Sequence, residues 1–113
     1  MRSFYEKYFD AVCNEKYSSV NNPGFESYFL TIGGETKLEI MTHTKLKKVD
    51  IESMVNGICH IAFSVGSREA VMDITNRLVA DGYKLNSPAR VTGDGYFESN
   101  ICDPDGNYIE ITE

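Results

Sequence analysis

The feature that most constrains this chain is that its two halves repeat each other at a fixed offset. Adding 71 to the residue number carries Gly24 onto Gly95, Leu30 onto Ile101 and Leu38-Glu39-Ile40 onto Ile109-Glu110-Ile111, and the turn at Gly33-Gly34 falls on Asp103-Pro-Asp-Gly106. Each half has a sheet face to cover, and a duplicated pair covers it with equivalent positions lining one trough. The expected architecture is α+β, with paired βαβββ modules. Module one spans 1–42, a connection without clear periodicity 43–56, and module two 57–113, all within a single domain 1–113.

Module two shows the plan in full. Gly57-Ile-Cys-His-Ile-Ala-Phe-Ser-Val65 alternates as a strand does, with Cys59, Ile61, Phe63 and Val65 on one face and His60, Ala62 and Ser64 on the other. A helix is expected over 68–81. Ser67 is its N-cap, Glu69 suits the positive end of its dipole, Val71, Ile74, Leu78 and Val79 form its stripe, and Gly82 closes it. Strands follow over 83–91, 96–102 and 108–112, separated by Gly93-Asp-Gly95 and Asp103-Pro-Asp-Gly106. In the last of these, Ile109 and Ile111 oppose Tyr108, Glu110 and Thr112.

Module one begins with a helix whose stripe is Phe4, Tyr5, Tyr8, Phe9 and Val12. Extended segments are expected over 15–20, over 25–32 after Asn21-Asn-Pro-Gly24, and over 36–42 after Gly33-Gly34. His43 opens the connection as a loop residue. The repeat gives His60 and its strand no counterpart, so the first module lacks its leading strand, and the expectation is that such a strand belongs ahead of Met1.

Composition narrows the function. Seventeen acidic against eleven basic residues give a net charge of −6, which argues against nucleic-acid or anionic-membrane surfaces, since both need a basic patch. The only basic cluster is Lys45, Lys47 and Lys48. Cys13, Cys59 and Cys102 lack CxxC or zinc-knuckle spacing and read as reduced thiols of a cytoplasmic protein, with Cys59 and Cys102 as small core residues. No apolar run approaches the roughly 20 residues that span a bilayer.

Glu39, His60 and Glu110 stand on the less apolar faces of their strands, and Glu39 and Glu110 are repeat equivalents. Imidazole with carboxylates suits zinc, nickel, cobalt, manganese or ferrous iron. Tyr96, Glu98 and Asn100 share a strand face and match Phe25, Ser27 and Phe29 in the repeat, giving a pocket with aromatic walls and a few polar groups for a small-molecule substrate. Arg90 is a candidate for binding a substrate carboxylate.

Gly57-Ile-Cys-His-Ile-Ala-Phe63, Thr92-Gly-Asp-Gly-Tyr-Phe-Glu-Ser99 and Asp103-Pro-Asp-Gly-Asn-Tyr-Ile-Glu-Ile-Thr112 resemble the vicinal oxygen chelate superfamily, in its glyoxalase I and bleomycin-resistance-like branch. Phe4-Tyr5-Glu-Lys-Tyr8-Phe9 resembles the family's first helix and Leu38-Glu-Ile-Met41 its fourth strand. The resemblance implies a cup holding one divalent metal, zinc or nickel, with His60, Glu39 and Glu110 as ligands and Glu110 as the catalytic base. It also implies a homodimer and a lactoylglutathione lyase-like reaction on a carbonyl-thiol adduct through an enediolate. The alternatives are a ligand-sequestering module of the bleomycin-resistance type and a related dioxygenase. The glyoxalase-like ligand set has two histidines and two glutamates; three are here, and the absent one belongs to the missing strand.

Overall fold

The computed structural model describes residues 1–47 and 57–113, so the end of the connection and Lys48 lie outside the described residues. The chain divides into two compact units, Met1–Asp50 and Ile51–Glu113.

The first unit opens with α1 (Arg2–Tyr8), followed by β1 (Val12–Cys13), β2 (Tyr17–Ser18), β3 (Phe25–Ile32) and β4 (Thr36–His43). β3 is the spine of its sheet. β4 pairs along its whole length from Phe25↔His43 to Ile32↔Thr36, while β1 and β2 lie along its other side, against Leu30–Thr31 and Glu26–Ser27. Among the described residues no strand pairs with the outer edge of β4.

The aromatic stripe of α1 does bury: Phe4, Tyr5 and Tyr8 are nearly inaccessible, with the Phe4 ring 5.1 Å from Tyr5 and 5.5 Å from Tyr8. Val12 does not belong to that stripe. The helix ends at Tyr8, Asp10 takes a positive φ of 49°, and the turned chain enters β1 with Val12 71% exposed. Of the strand expected over 15–20 only Tyr17–Ser18 (β2) pairs as a strand, and the preceding Val12–Cys13 (β1) forms a further short piece. His43 is the last residue of β4, opposite Phe25, rather than a loop residue. Its Nε2 stands 3.3 Å from Asn22 Oδ1, and its Nδ1 accepts from the Lys45 N–H.

The second unit runs β5 (Ile61–Ser64), α2 (Arg68–Ala80), β6 (Leu85–Val91), β7 (Phe97–Cys102) and β8 (Tyr108–Thr112), with sheet order β5-β8-β7-β6. β5 and β8 are parallel and the other pairs antiparallel, which is the βαβββ plan. Pro88 lies in the edge strand β6, where a residue without an N–H is tolerated, and the register slips on both sides of Ser87.

Ser67 caps α2 by accepting from the Ala70 N–H at 3.2 Å, and Gly82 closes it at φ 89°. The buried face of α2 is Val71, Thr75 and Leu78; Val79 of the expected stripe is 44% exposed. Thr75 replaces it because its hydroxyl is satisfied locally. It donates to the Val71 carbonyl at 2.5 Å, which leaves its oxygen to accept from Ser99 Oγ of β7 at 2.6 Å. Ile101, Ile109 and Ile111 complete this core at zero exposure.

Turns hold the strands in register. Asp103 is buried, and its carboxylate accepts from the Asp105 and Asn107 N–H groups and from Asn107 Nδ2, so the Asp103-Pro-Asp-Gly-Asn107 turn closes on its own charge. Gly24 and Gly95 occupy equivalent turns with φ of 91° and 96°. At Gly24 a Cβ would also sit 2.5 Å from Thr44 Oγ1.

The repeat is reproduced in the hydrogen-bond ladders. Glu39 stands opposite Phe29 and Glu110 opposite Asn100, and both members of the second pair are the first plus 71. The two carboxylates therefore occupy equivalent register positions on the last strands of their units.

Candidate functional site

The sheet order of the second unit brings one row of polar side chains together. Since Ile109 and Ile111 face the buried side of β8, Glu110 and Thr112 face the other, and Glu98 and Asn100 share that face on the neighbouring β7. His60 lies just ahead of β5, in the 57–60 segment that the sequence reading placed inside the strand. Its Nε2 is 3.4 Å from Glu110 Oε2, with the histidine side chain 41% and the glutamate 18% exposed. On the far side Arg90 of β6, directly opposite Glu98, places Nη2 3.5 Å from Glu98 Oε1, and its Nη1 donates to Ser87 Oγ.

Glu98 joins the two ends of the row. On the ladder it is a diagonal neighbour of Glu110 across β7 and β8. Burial in the first place, and then the adjacent charge of Glu110, push the Glu98 carboxyl above its usual range, while Arg90 pulls the other way. Asn100, although directly opposite Glu110, is engaged by Asn86, whose Nδ2 donates to its Oδ1 at 3.2 Å. Thr112 Oγ1 is buried on this face with no hydrogen-bond partner among the described residues.

Of the residues singled out from sequence, His60, Glu110, Glu98, Asn100 and Arg90 thus gather on one face of the second unit. Tyr96 precedes β7 and is 56% exposed. Glu39, Phe25 and Phe29 belong to the first unit. Glu39 is exposed on β4, Phe29 is 41% exposed, and the Phe25 ring meets Tyr17 edge-on at 6.5 Å.

Arg90 has internal partners in Glu98 and Ser87, because the register sets it against an acid. One expectation is revised. Cys59 is exposed rather than a small core residue, since the strand starts two residues after it; Cys102 is buried as expected, and burial raises its thiol pKa. The Arg90–Glu98 pairing was legible in residue types, but the bulged register that creates it was not.

An imidazole and a carboxylate 3.4 Å apart are donors of the kind that hold a divalent transition ion, so the pair fits two positions of such a site. Among the described residues no cluster of three or more His, Cys, Asp or Glu side chains is gathered closely enough to hold a metal. No helix among them is long and apolar enough to cross a membrane.

Comparison with known proteins places this arrangement. The chain matches solved structures throughout its length. It superposes on a glyoxalase family protein from Enterococcus faecalis with a TM-score of 0.77 at 23% identity, covering 99% of this chain and 85% of that one. A glyoxylase/bleomycin resistance protein/dioxygenase domain from Frankia sp. matches with a TM-score of 0.82 at 15% identity, covering 98% and 84%. Glyoxalase I from Zea mays matches with a TM-score of 0.76 at 21% identity, and the chain spans 38% of its length. At these identities the likeness is one of fold. Comparison with curated proteins gives no match. The family model for the Glyoxalase/Bleomycin resistance protein/Dioxygenase superfamily matches residues 1–111. The chain belongs to this superfamily, the vicinal oxygen chelate proteins, and has its α+β fold.

Proposed function

We propose that the protein is a metal-dependent lyase or isomerase of the glyoxalase I type, acting on a small carbonyl-thiol adduct. The observation that carries this reading is the His60–Glu110 pair on the open face of a βαβββ unit, in a chain of this superfamily. His60 and Glu110, with Glu39 as the repeat equivalent of Glu110, are the residues that would hold a divalent ion, zinc or nickel. When bound, the ion supplies Lewis acidity toward two adjacent substrate oxygens.

The chain's own part is proton handling. Glu110 is the base that moves a proton between neighbouring carbons, and at 18% exposure its carboxylate is largely shielded from water. Phe25, Phe29, Tyr96, Glu98, Asn100 and Arg90 are the substrate-binding candidates. The single-domain organisation over 1–113 is kept as part of this reading. So is a homodimer, supported by the outer edge of β4, unpaired among the described residues, which a second chain can cover. A cytoplasmic setting is supported by three free cysteines.

Metal content of the purified protein tests the reading, with Glu39→Ala and His60→Ala as controls. Stoichiometric zinc or nickel that both substitutions remove supports it; none in the parent protein overturns it. The aromatic face of β3, with Phe25 against Tyr17 and Phe29 open, favours a second reading, a ligand-sequestering module that needs no metal. Retention of a bound aromatic compound by metal-free protein is its signature.

A further inference from the structure

The outer strands of the two sheets differ in how they are protected. β6 carries Pro88 and two register slips, and β5 is only four residues long. Proline, bulges and short length are devices that keep a sheet edge from pairing with another chain. β4 has none of them. It runs eight residues without a proline and pairs with β3 in one unbroken register, and among the described residues nothing lies along its outer side.

The ladder fixes which groups face that side. One rung beyond Phe25↔His43, the Thr44 N–H donates to the Gly24 carbonyl at 3.2 Å. Backbone groups of successive strand residues alternate in direction, so the even-numbered residues of β4 turn theirs to β3 while Lys37, Glu39 and Met41 turn theirs outward. The second unit agrees: Thr112, the repeat equivalent of Met41, accepts from the Val65 N–H on the β5 side of β8. Lys37 and Glu39 are exposed, and neither side chain has an ion-pair or hydrogen-bond partner among the described residues.

We propose that this edge is where a second copy of the chain pairs, antiparallel about a two-fold axis at Leu38. In an isologous pairing each residue meets the one equally far on the other side of the axis. With the axis at Leu38, Lys37 of each copy stands opposite Glu39 of the other, and both turn their outward backbone groups to each other. Leu38 meets its own copy on the opposite face of the sheet.

Charge selects this axis, because opposite charges directly across an antiparallel pair are favourable and like charges are not. An axis at Lys37 or at Glu39 sets that residue against its own copy. An axis at Ile40 sets Lys37 against His43. One at Met41 sets Glu39 against His43, whose ring nitrogens are already engaged by Asn22 Oδ1 and the Lys45 N–H. The proposal gives the homodimer of the reading above its surface; it rests on that part of the reading and is independent of the metal.

The test is sedimentation velocity of the whole chain, freed of metal by a chelator, from low micromolar to submillimolar concentration at low salt. A reversible monomer–dimer equilibrium is expected, on the weak side because the Thr36–Ile40 overlap is short. Lys37→Glu, which sets a carboxylate against Glu39, is expected to raise Kd about ten-fold, and Lys37→Glu combined with Glu39→Lys to restore it. In a Cys59→Ser background, Leu38→Cys is expected to give a disulfide-linked dimer on mild oxidation. Residues directly opposite in a non-hydrogen-bonded pair stand about 4.5 Å apart at Cα, within disulfide reach. Ile40→Cys is expected to stay unlinked.

A monomer at every concentration overturns the proposal and discards the homodimer with it. A dimer that Lys37→Glu does not weaken and Leu38→Cys does not trap overturns this surface and leaves the homodimer standing. Lys37 and Glu39 amides protected from hydrogen exchange in a monomer overturn it in favour of another strand on the edge. Metal content is read separately, so none of these results decides the metal reading.

Discussion

β3 of the first unit and β7 of the second are the same strand in two settings. Each pairs with the last strand of its unit at a matching register, and each buries an aliphatic residue beneath a helix, Leu30 in one and Ile101 in the other. Their opposite faces differ in kind. β3 presents Phe25, Ser27 and Phe29, whereas at the positions 71 residues later the second unit has Tyr96, Glu98 and Asn100. The comparison teaches that the register is maintained by the helix-covered side and the turns, which leaves the other face free to be aromatic in one unit and ionic in the other.

The helix-covered side holds the largest expected effect. Leu30 and Ile101 are both wholly buried, so Leu30→Ala and Ile101→Ala are each expected to cost about 2–5 kcal/mol in chemical denaturation. A Leu30→Ala cost far below that of Ile101→Ala would break the equivalence and show that the first unit does not share the cooperative transition of the second.

Next come two buried serines that differ in their partners. Ser99 donates to Thr75 inside the core, and Ser99→Ala is expected to cost about 1–3 kcal/mol by leaving that hydroxyl oxygen without its donor. Ser27 is 2% exposed and its Oγ has no partner among the described residues. Ser27→Ala is therefore expected to fall within about 0.5 kcal/mol of the parent, on the stabilising side. A large loss at Ser27 would reveal a hydrogen bond to that hydroxyl.

The smallest effect is a dependence on pH confined to the ionic face. The Glu98 carboxyl is raised from an ordinary value of 4.5, so its contribution to stability is present below that value and is lost as pH rises through the raised one. In metal-free protein the stability of the parent relative to Glu98→Gln is expected to decline as pH increases from about 4.5 and then level off, read from melting temperatures across a pH series. A difference that grows with pH would show that Arg90 outweighs burial and the Glu110 charge.

Much of this was legible before any coordinates. The alternation of Ile109, Glu110 and Ile111 placed Glu110 opposite the core, and Ser67 and Gly82 bracketed α2, because caps and period-two patterns are local. The offset of 71 put Glu39 and Glu110 at equivalent positions, and the ladders agree. Other features were not legible. Val12 fits a helical stripe by spacing, yet the chain turns at Asp10. Val79 fits the stripe of α2, yet Thr75 takes the buried place because Ser99 meets it from another strand. Cys59 continues the alternation of β5, yet the strand begins only at Ile61.

The sequence by itself determined the class of fold, the repeat and the residue types of the site, since these follow from hydrophobic period and turn chemistry within a few residues of each position. The tertiary structure alone decided that Arg90 is spent on Glu98 and that Glu110 meets His60. Those contacts join residues on three strands and the segment just ahead of β5, and their geometry is set by strand order and by the slipped register around Ser87, which no local pattern encodes.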